Sequence, residues 1–368
     1  MFKPEVRIGI YAVLAACAGV DTGFAQQPGA TPPTDGEMVI INLGQAGLIA
    51  EMNSYEDFGT VQSRIGQSRA QIEAFRATGI STGYKDSANV AVVPFDFFYE
   101  IPGGVATSFV KFGGVANFNR GNENQTELYA RTGRFEVEYL VAPSKDTLFG
   151  IGAIVEKTKV DMRHNDGTIE DLGYGIRGDF VQKFDDHWGV AGRAEYLWSK
   201  GETRIPLGGG MHYGYDQDWG RFYTQASLVG SFTKDTLSFV PEGWVFHPSI
   251  GTIYQNNRFN DVRDTFGGVV NGTVGRHDAY ATVSANVRLE SMDLRPGNLA
   301  PYVEVGLEQE VKNDLNLIVD DPTSLHTVIG ASLNIGGGTI LHLEYGRHDG
   351  LKGERRDQAL TLHLGMIF

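Results

Sequence analysis

The stretch LTLHLGMIF stands at residues 360–368, at the end of the sequence. Its large apolar residues alternate with residues that are on the whole smaller or more polar; they are Leu360, Leu362, Leu364, Met366 and Phe368. Apolar residues at every second position are typical of a β-strand with one apolar face. The termini of soluble proteins normally fray into water. A terminal strand that stays apolar up to a final aromatic residue therefore raises the question of what covers that face.

The composition limits the classes of protein to which the chain can belong. The 368 residues are 41% apolar and 11% aromatic, enough for one large domain or two ordinary ones. The 48 glycines beside only 13 prolines suggest many short strands and tight turns. The net charge of −14 argues against a nucleic-acid partner, because phosphate binding requires clustered lysine and arginine.

The first residues predict export. Basic residues precede an apolar run over residues 8–20, and small residues follow up to Ala25. This pattern predicts a secretory signal peptide over residues 1–25, cleaved before Gln26. Cys17 closes a tetrapeptide, LAAC, that also fits a bacterial lipoprotein box, so lipidation of Cys17 is the alternative. It is the only cysteine, and either reading leaves no disulfide and no thiolate metal site.

Beyond this segment, no stretch approaches the roughly 20 consecutive apolar residues of a membrane-spanning helix. A β-pattern recurs instead. In residues 172–180 one face is large and apolar, and the other carries glycine, arginine and aspartate. The same alternation returns in residues 188–199, 283–290 and 302–308. By itself it fits a soluble barrel or sandwich as well as a membrane barrel.

Three further features favour a membrane barrel. Aromatic residues such as Trp198 lie near strand ends, which suits the boundary between bilayer and water. Many strands support nine or more alternating residues, enough to cross a bilayer at a tilt. The links alternate in length: 142–146 and 185–186 are short, whereas 201–217 and 258–275 are long and rich in charge, glycine and asparagine.

The predicted fold class is therefore an all-β, antiparallel transmembrane β-barrel of about twelve strands over residues 104–368, preceded by a short N-terminal helical segment. Short periplasmic turns and long external loops place it in the outer membrane of a Gram-negative cell. An even strand count puts both ends of the barrel on the short-turn side. The predicted strands lie near 104–119, 127–142, 147–161, 170–184, 187–200, 218–234, 241–257, 276–291, 299–312, 324–336, 338–347 and 357–368.

The chain resembles the autotransporter β-domain family of type V secretion over about its last 265 residues. The segments that carry the resemblance are FVKFGG at 109–114, RFEVEY at 134–139, LFGIG at 148–152, GWVFHPSIG at 243–251, LEYG at 343–346 and the terminal strand. The resemblance implies a barrel of about twelve strands. It also implies an N-terminal helix that can occupy the lumen and an upstream passenger that is carried to the cell surface. It also implies periplasmic chaperones and the barrel-assembly machinery as partners, with a barrel that is monomeric. We interpret the alternating residues of the terminal strand, up to Phe368, as the assembly signal, and we expect that strand to close the barrel against residues 109–118.

Residues 26–103 would then form an unusually short passenger or linker. Residues 54–78 are predicted to be an amphipathic helix that stops at Gly79. Its stripe follows heptad spacing and consists of Phe58, Val61, Ile65, Ser68, Ile72 and Phe75. The stripe packs locally, occupies the lumen or its entrance, or self-associates. The apolar residues 80–103 are expected to form a strand or hairpin near the barrel mouth.

Motifs for catalysis are missing from the sequence. There is no G-x-S-x-G, H-E-x-x-H or G-x-x-x-x-G-K-[ST] pattern, so we expect no enzyme activity and no cofactor. The histidines lack the spacing of metal ligands, so no metal site is predicted. The pair Asn256 and Asn257 lies between predicted strands and not in an N-terminal helix, so self-cleavage is not predicted.

Charged residues on the polar faces of the strands are the remaining candidates. Placing basic side chains in lipid would cost roughly 2–4 kcal/mol each, so they are assigned to the lumen. Their expected role is to pair with one another; lining a pore or gripping a passenger is the alternative. The predicted lumen-facing residues are Arg177, Arg193, Arg221, Arg288, Glu136, Glu195, Glu304 and Glu308.

Two functions follow from the sequence. In the first, the barrel is a translocator that anchors, and exports or displays, a short N-terminal segment at the cell surface. In the second, it is a stand-alone outer-membrane barrel, an adhesin, structural protein or narrow pore, with the N-terminal helix as a plug in the lumen.

Overall fold

A computed structural model describes residues 35–52, 54–79, 86–103, 106–121, 128–163, 165–271, 277–314 and 321–367. The predicted signal peptide, with Cys17, Ala25 and Gln26, lies outside the described residues. Phe368 also lies outside them. The predictions for these residues stay predictions.

Three helices precede the strands in the described part of the chain: α1 (Asp35–Gln45), α2 (Leu48–Met52) and α3 (Tyr55–Thr78). The first seven strands are β1 (Asp86–Ile101), β2 (Thr107–Gly121), β3 (Leu128–Ser144), β4 (Thr147–Met162), β5 (Gly167–Lys183), β6 (Trp188–Gly208) and β7 (Met211–Gly230). The others are β8 (Trp244–Phe259), β9 (Asp261–Arg263), β10 (Val269–Asn271), β11 (His277–Ser291), β12 (Leu299–Asn313), β13 (Thr323–Gly336), β14 (Thr339–Gly350) and β15 (Arg355–Ile367). No helix among the described residues is both long and apolar enough to cross a membrane.

The strands form one closed barrel, with β9 and β10 apart as a small two-stranded sheet. Neighbours in sequence pair antiparallel around the wall, and β1 closes the ring by pairing in parallel with β15. The all-β barrel predicted from the sequence is confirmed, but it has 13 strands and not about twelve. An odd number of strands requires one parallel pair, and the β1–β15 seam is that pair.

The additional strand corrects two expectations. The barrel wall begins at β1, not near residue 104, and β15 closes against β1 and not against residues 109–118. A strand or hairpin is expected in residues 80–103, but alternation does not identify β1 as part of the wall, because both of its faces are mostly apolar, with Asp96 as the charged exception on the inner face. Its inward residues Ala88, Val90 and Val92 are buried in a small apolar cluster, whereas other strands carry charge on that face. The register of the seam omits Val93 and Pro94, and proline has no N–H to donate.

The two ends of the barrel differ. We call the end with links 145–146 and 337–338 the short-turn end, and the end with links 260–276 and 314–322 the long-loop end. The predicted loop 201–217 is instead the tip of a β6–β7 hairpin that extends beyond its neighbours. Gly208, Gly209 and Gly210 turn the chain with φ of 84°, 61° and 82°, a region that favours glycine.

Alternation around the barrel puts apolar side chains outside. In β3, Phe135, Val137 and Tyr139 are exposed, while Glu136 and Glu138 between them are 0% and 1% exposed. The chain buries charge and exposes large apolar groups, which is the arrangement of a barrel whose outer face contacts lipid.

The terminal strand follows the same phase over part of its length. Leu360 and Leu362 are exposed on the outer face, Met366 is half-buried, and Leu364 is buried. The apolar face of the terminal strand therefore belongs to the outer wall of the barrel.

The seam can be tested by cross-linking. Leu360 and Ala91 are register partners across β15 and β1, and Ala91 in turn faces Phe118 of β2. Adjacent strands are about 4.8 Å apart, so only neighbours come within the roughly 7 Å that a disulfide allows between Cα atoms. We expect Leu360→Cys with Ala91→Cys to cross-link on oxidation, as read by gel mobility. The matched pair Leu360→Cys with Phe118→Cys should not. The reverse result would show a 12-stranded wall.

Candidate functional site: the occupied lumen

The N-terminal segment enters the barrel at the short-turn end. Asn42 of α1 donates from Nδ2 to the carbonyl of Lys145, at 2.7 Å, and to Asp146 Oδ1, at 3.1 Å, in the β3–β4 turn. Lys183, at the same end of β5, donates to Asn42 Oδ1 at 3.2 Å. Leu43 of α1 is fully buried in an apolar cluster that strand ends of the wall complete.

Next, two wall arginines hold the end of α2. The carbonyl oxygen of Met52 accepts from Arg193 Nη2 at 2.9 Å and from Arg177 Nη2 at 3.3 Å. Arg193 also reaches the carbonyl of Ser54 at 3.4 Å. Carbonyl groups at a helix C-terminus carry partial negative charge, which complements these guanidinium groups.

The start of α3 is clamped by aromatic and cationic contacts. Phe58 lies edge-on to Tyr223, with ring centroids 5.3 Å apart. The guanidinium carbons of Arg134 and Arg221 lie 4.9 Å and 5.2 Å from the centre of the Phe58 ring. Cation–π contacts of this kind gain strength when water is excluded, and Phe58 is only 1% exposed.

Halfway along α3, Arg64 reaches the opposite wall. Its Nε donates to Asp357 at 2.7 Å, and its Nη1 donates to Glu308 at 2.8 Å and to the hydroxyl of Tyr280 at 2.6 Å. All of these groups are buried. One helix arginine thus joins three strands of the wall, β11, β12 and β15.

The last turns of α3 reach the long-loop end. Arg69 binds Asp171 at 3.3 Å and lies over Phe259, 4.9 Å from the ring centre. Ala70 packs in a cluster with Met162, at the end of β4. The helix ends at Gly79, whose φ is 69° and whose N–H donates to Phe75. The described chain thus runs from the short-turn end to the long-loop end inside the barrel, and β1 returns in the wall.

All eight predicted lumen residues occupy inner-face positions, and four of them, Arg177, Arg221, Glu136 and Glu195, belong to one ion-pair network. Arg177 binds Glu136 at 2.6 Å, and Arg134 binds Glu195 at 2.5 and 2.9 Å. Arg221 forms a bidentate pair with Glu156, both contacts at 2.8 Å, and also lies 3.3 Å from Glu195.

Of the other four, Arg193 and Glu308 contact Met52 and Arg64 of the helices, and two lie elsewhere on the wall. Arg288 binds Glu290 at 2.8 Å and covers the ring of Tyr302, with its side chain 22% exposed. Glu304 lies 3.7 Å from His326. These residues line a part of the wall that α3 does not fill.

Sequence reasoning missed several buried charged residues of the lumen. Lys111 contacts Asp96, Glu136 and Glu138 at 3.1, 3.3 and 3.5 Å, with no exposed side-chain surface. The alternation of β2 and β3 already placed Lys111 and Arg134 on inner faces, so this signal was available. Arg64 was missed for another reason: the heptad stripe marks only the apolar side of the helix, yet inside a charged lumen Arg64 is buried as well as Phe58 and Val61.

The arrangement binds a helix in the lumen. A cavity of about 80 Å³ lies beside α3, lined among others by Gln62, Asn117 and Gln255. Among the described residues, no group of three or more histidine, cysteine, aspartate or glutamate side chains suits a metal ion. The paired charges fix the position of a segment of the chain.

A closed barrel with an apolar outer face and a polar, filled lumen is an integral outer-membrane β-barrel. The sequence model of the autotransporter β-domain family matches residues 110–344, and the chain belongs to that family. No curated protein matches the sequence. The predicted resemblance to the translocator barrels of type V secretion is thereby confirmed.

Solved structures with a similar fold include two autotransporter barrels. The translocator domain of NalP from Neisseria meningitidis is 13% identical, with 83% of this chain and 94% of that chain covered and a TM-score of 0.47. The β domain of the Bordetella autotransporter BrkA is 14% identical, with 67% and 92% covered and a TM-score of 0.44. The Pseudomonas putida toluene transporter TodX is 12% identical, with 71% and 82% covered and a TM-score of 0.38.

Proposed function

We propose that this outer-membrane barrel retains its N-terminal segment as a plug that enters from the periplasmic side, and that it does not display this segment at the cell surface. The observation that carries the proposal is the direction of the chain. Asn42 of α1 binds the β3–β4 turn at the short-turn end, and Gly79 ends α3 at the long-loop end. Short turns are periplasmic in barrels of this class.

Display would require the opposite path. A segment carried to the surface leaves the lumen through the long-loop end, so the chain before α3 would have to emerge there. Here α1 and α2 instead pack at the short-turn end, against Leu148 and Val181 among others. This favours the second function derived from the sequence, a stand-alone barrel with a lumen plug, over the display of a short passenger.

The contacts of the plug support a permanent role. Arg64, Arg69 and Phe58 are buried and tied to different parts of the wall. Removing one partner of a buried ion pair costs about 3–5 kcal/mol, because it leaves a charge without compensation. Moving α3 out of the lumen breaks several such contacts together.

The remaining parts of the proposal concern assembly. We keep periplasmic chaperones and the barrel-assembly machinery as expected partners, the outer face of the terminal strand with Phe368 as the assembly signal, and a monomeric barrel without enzymatic activity. The exposure of Leu360 and Leu362 on the lipid-facing side supports this use of the strand.

Cysteine labelling tests the direction of the N-terminal segment. Met38 of α1 is 48% exposed, and Leu351, in the β14–β15 link at the long-loop end, is 63% exposed. In intact cells, a thiol reagent that cannot cross the outer membrane should label Leu351→Cys but not Met38→Cys. After the outer membrane is permeabilised, both should react.

The unsubstituted chain, whose only cysteine is Cys17, measures any labelling that does not come from the introduced cysteines. Labelling of Met38→Cys in intact cells, at the level of Leu351→Cys, would refute the plug model and restore surface display.

A further inference from the structure

Basic side chains gather on the outer face of β2–β6, toward the long-loop end of the barrel. They point away from the lumen, on the same face as the lipid-facing residues, and all are exposed or half-exposed. We call them the basic band; its members are Arg120, Arg131, Lys157, Lys159, Arg163 and Lys200.

The register of the strands fixes the height of this band. Val155, Tyr174 and Trp198 form one row across β4, β5 and β6, and Tyr174 and Trp198 are about half exposed. Exposed tyrosine and tryptophan side chains mark the level where the hydrocarbon of a bilayer meets the headgroups. The next row toward the long-loop end is Lys157, Leu172 and Lys200.

The two lysines therefore begin where the apolar surface ends. They lie on either side of Leu172, two strand spacings or about 10 Å apart. Lysine stems cover apolar surface while the ammonium group reaches a polar layer. At this height the polar layer contains lipid headgroups of the outer leaflet.

Acidic side chains pair with only part of the band, although Glu170, Glu202, Asp216 and Asp218 line one cavity with Lys157 and Lys200. Asp161 binds Arg131 at 2.6 Å, and Glu170 binds Lys159 at 2.5 Å. Lys157 and Lys200 form no ion pair with the described residues, although Asp218 of β7 follows Lys200 in the row.

The band is local in a chain of net charge −14. Arg120 and Arg163 both lie over Tyr129, at 5.6 and 4.4 Å from the ring centre, and so stay on the outer face. On the next strand, β7, the exposed positions carry Asp216 and Asp218. The positive surface therefore ends at β7 and covers one side of the barrel only.

We infer that the outer face of β2–β6 binds the phosphate groups of anionic lipids in the outer leaflet, with Lys157 and Lys200 as the central contacts. Each basic residue near an anionic membrane surface contributes a free energy that corresponds to roughly a fivefold change in binding. The inference does not depend on the plug, because these side chains lie outside the lumen.

The test uses the full chain purified in a neutral detergent, with phosphatidic acid as the probe and phosphatidylcholine as the uncharged reference. Native mass spectrometry counts bound lipid. We expect Lys157→Gln with Lys200→Gln to lower phosphatidic acid binding about tenfold or more and to leave phosphatidylcholine binding unchanged.

The matched control is Arg258→Gln with Lys312→Gln, which removes the same charge at the same end, on β8 and β12. It should retain phosphatidic acid binding. Equal losses in both double variants, or none in the lysine variant, would overturn the inference. Complete displacement by millimolar inorganic phosphate would also overturn it, since that indicates a site for free phosphate. Heat-modifiable gel mobility confirms that each variant is folded.

Discussion

Deleting residues 35–79 should convert a barrel that passes almost no ions into an open channel. The three helices lie in the lumen from Asn42 at the short-turn end to Gly79 at the long-loop end, and no strand of the wall is lost with them. Without the helices, a wall of 13 strands encloses a charged interior that the inward side chains are too small to fill. Water and ions can then pass through the barrel. Planar-bilayer recordings of the purified chain measure this directly.

A single substitution tests the same plug if the deletion variant fails to assemble. Arg64→Ala keeps the whole chain but removes the contacts of α3 with Asp357, Glu308 and Tyr280. We expect brief, repeated openings from this variant and a steady open current from the deletion. Phe75→Ala is the matched control on the same helix, since Phe75 is 51% exposed, and it should stay closed. A folded deletion variant that passes no current would contradict the plug.

The sequence predicted the wall of this barrel better than its contents. Alternation placed Arg177, Glu195 and Glu308 inside because lipid and lumen impose opposite polarity on the two faces of a strand. That rule fails for β1, whose inner face packs on apolar neighbours such as Val115 and carries little charge. A strand that is mostly apolar on both faces shows no clear period of two, so the sequence predicts only a strand or hairpin near the barrel mouth.

The direction of α3 could not be predicted from local sequence. A helix fits a lumen in either direction, and the choice depends on contacts between residues far apart in the chain. Arg64 and Asp357 are 293 positions apart, and Asn42 and Asp146 are 104 apart. The heptad stripe gave no help, because a lumen that presents both charge and apolar groups buries Arg64 as completely as Phe58.

The largest loss of stability is expected from Arg177→Ala. The Arg177 side chain has no exposed surface and binds Glu136 at 2.6 Å, Asp179 at 2.7 Å and Glu138 at 2.9 Å. Without it, Glu136 keeps Lys111 and Arg134 and Glu138 keeps Lys111, whereas Asp179 loses its ion pair with Arg177. The free energy of unfolding should therefore fall by about 3–5 kcal/mol. Urea unfolding in lipid vesicles, followed by heat-modifiable mobility, gives this value.

Arg288→Ala provides the comparison that separates burial from charge. Arg288 also lies on the inner face, but its side chain is 22% exposed and its ion pair is with the single carboxylate of Glu290. Water reaches the groups that its removal leaves behind, so the loss should stay near 1 kcal/mol. Equal losses for the two variants would mean that α2 and the surrounding wall do not exclude water from Arg177. The ion pairs of Arg177 would then contribute to a hydrated lumen and would not hold the plug in place.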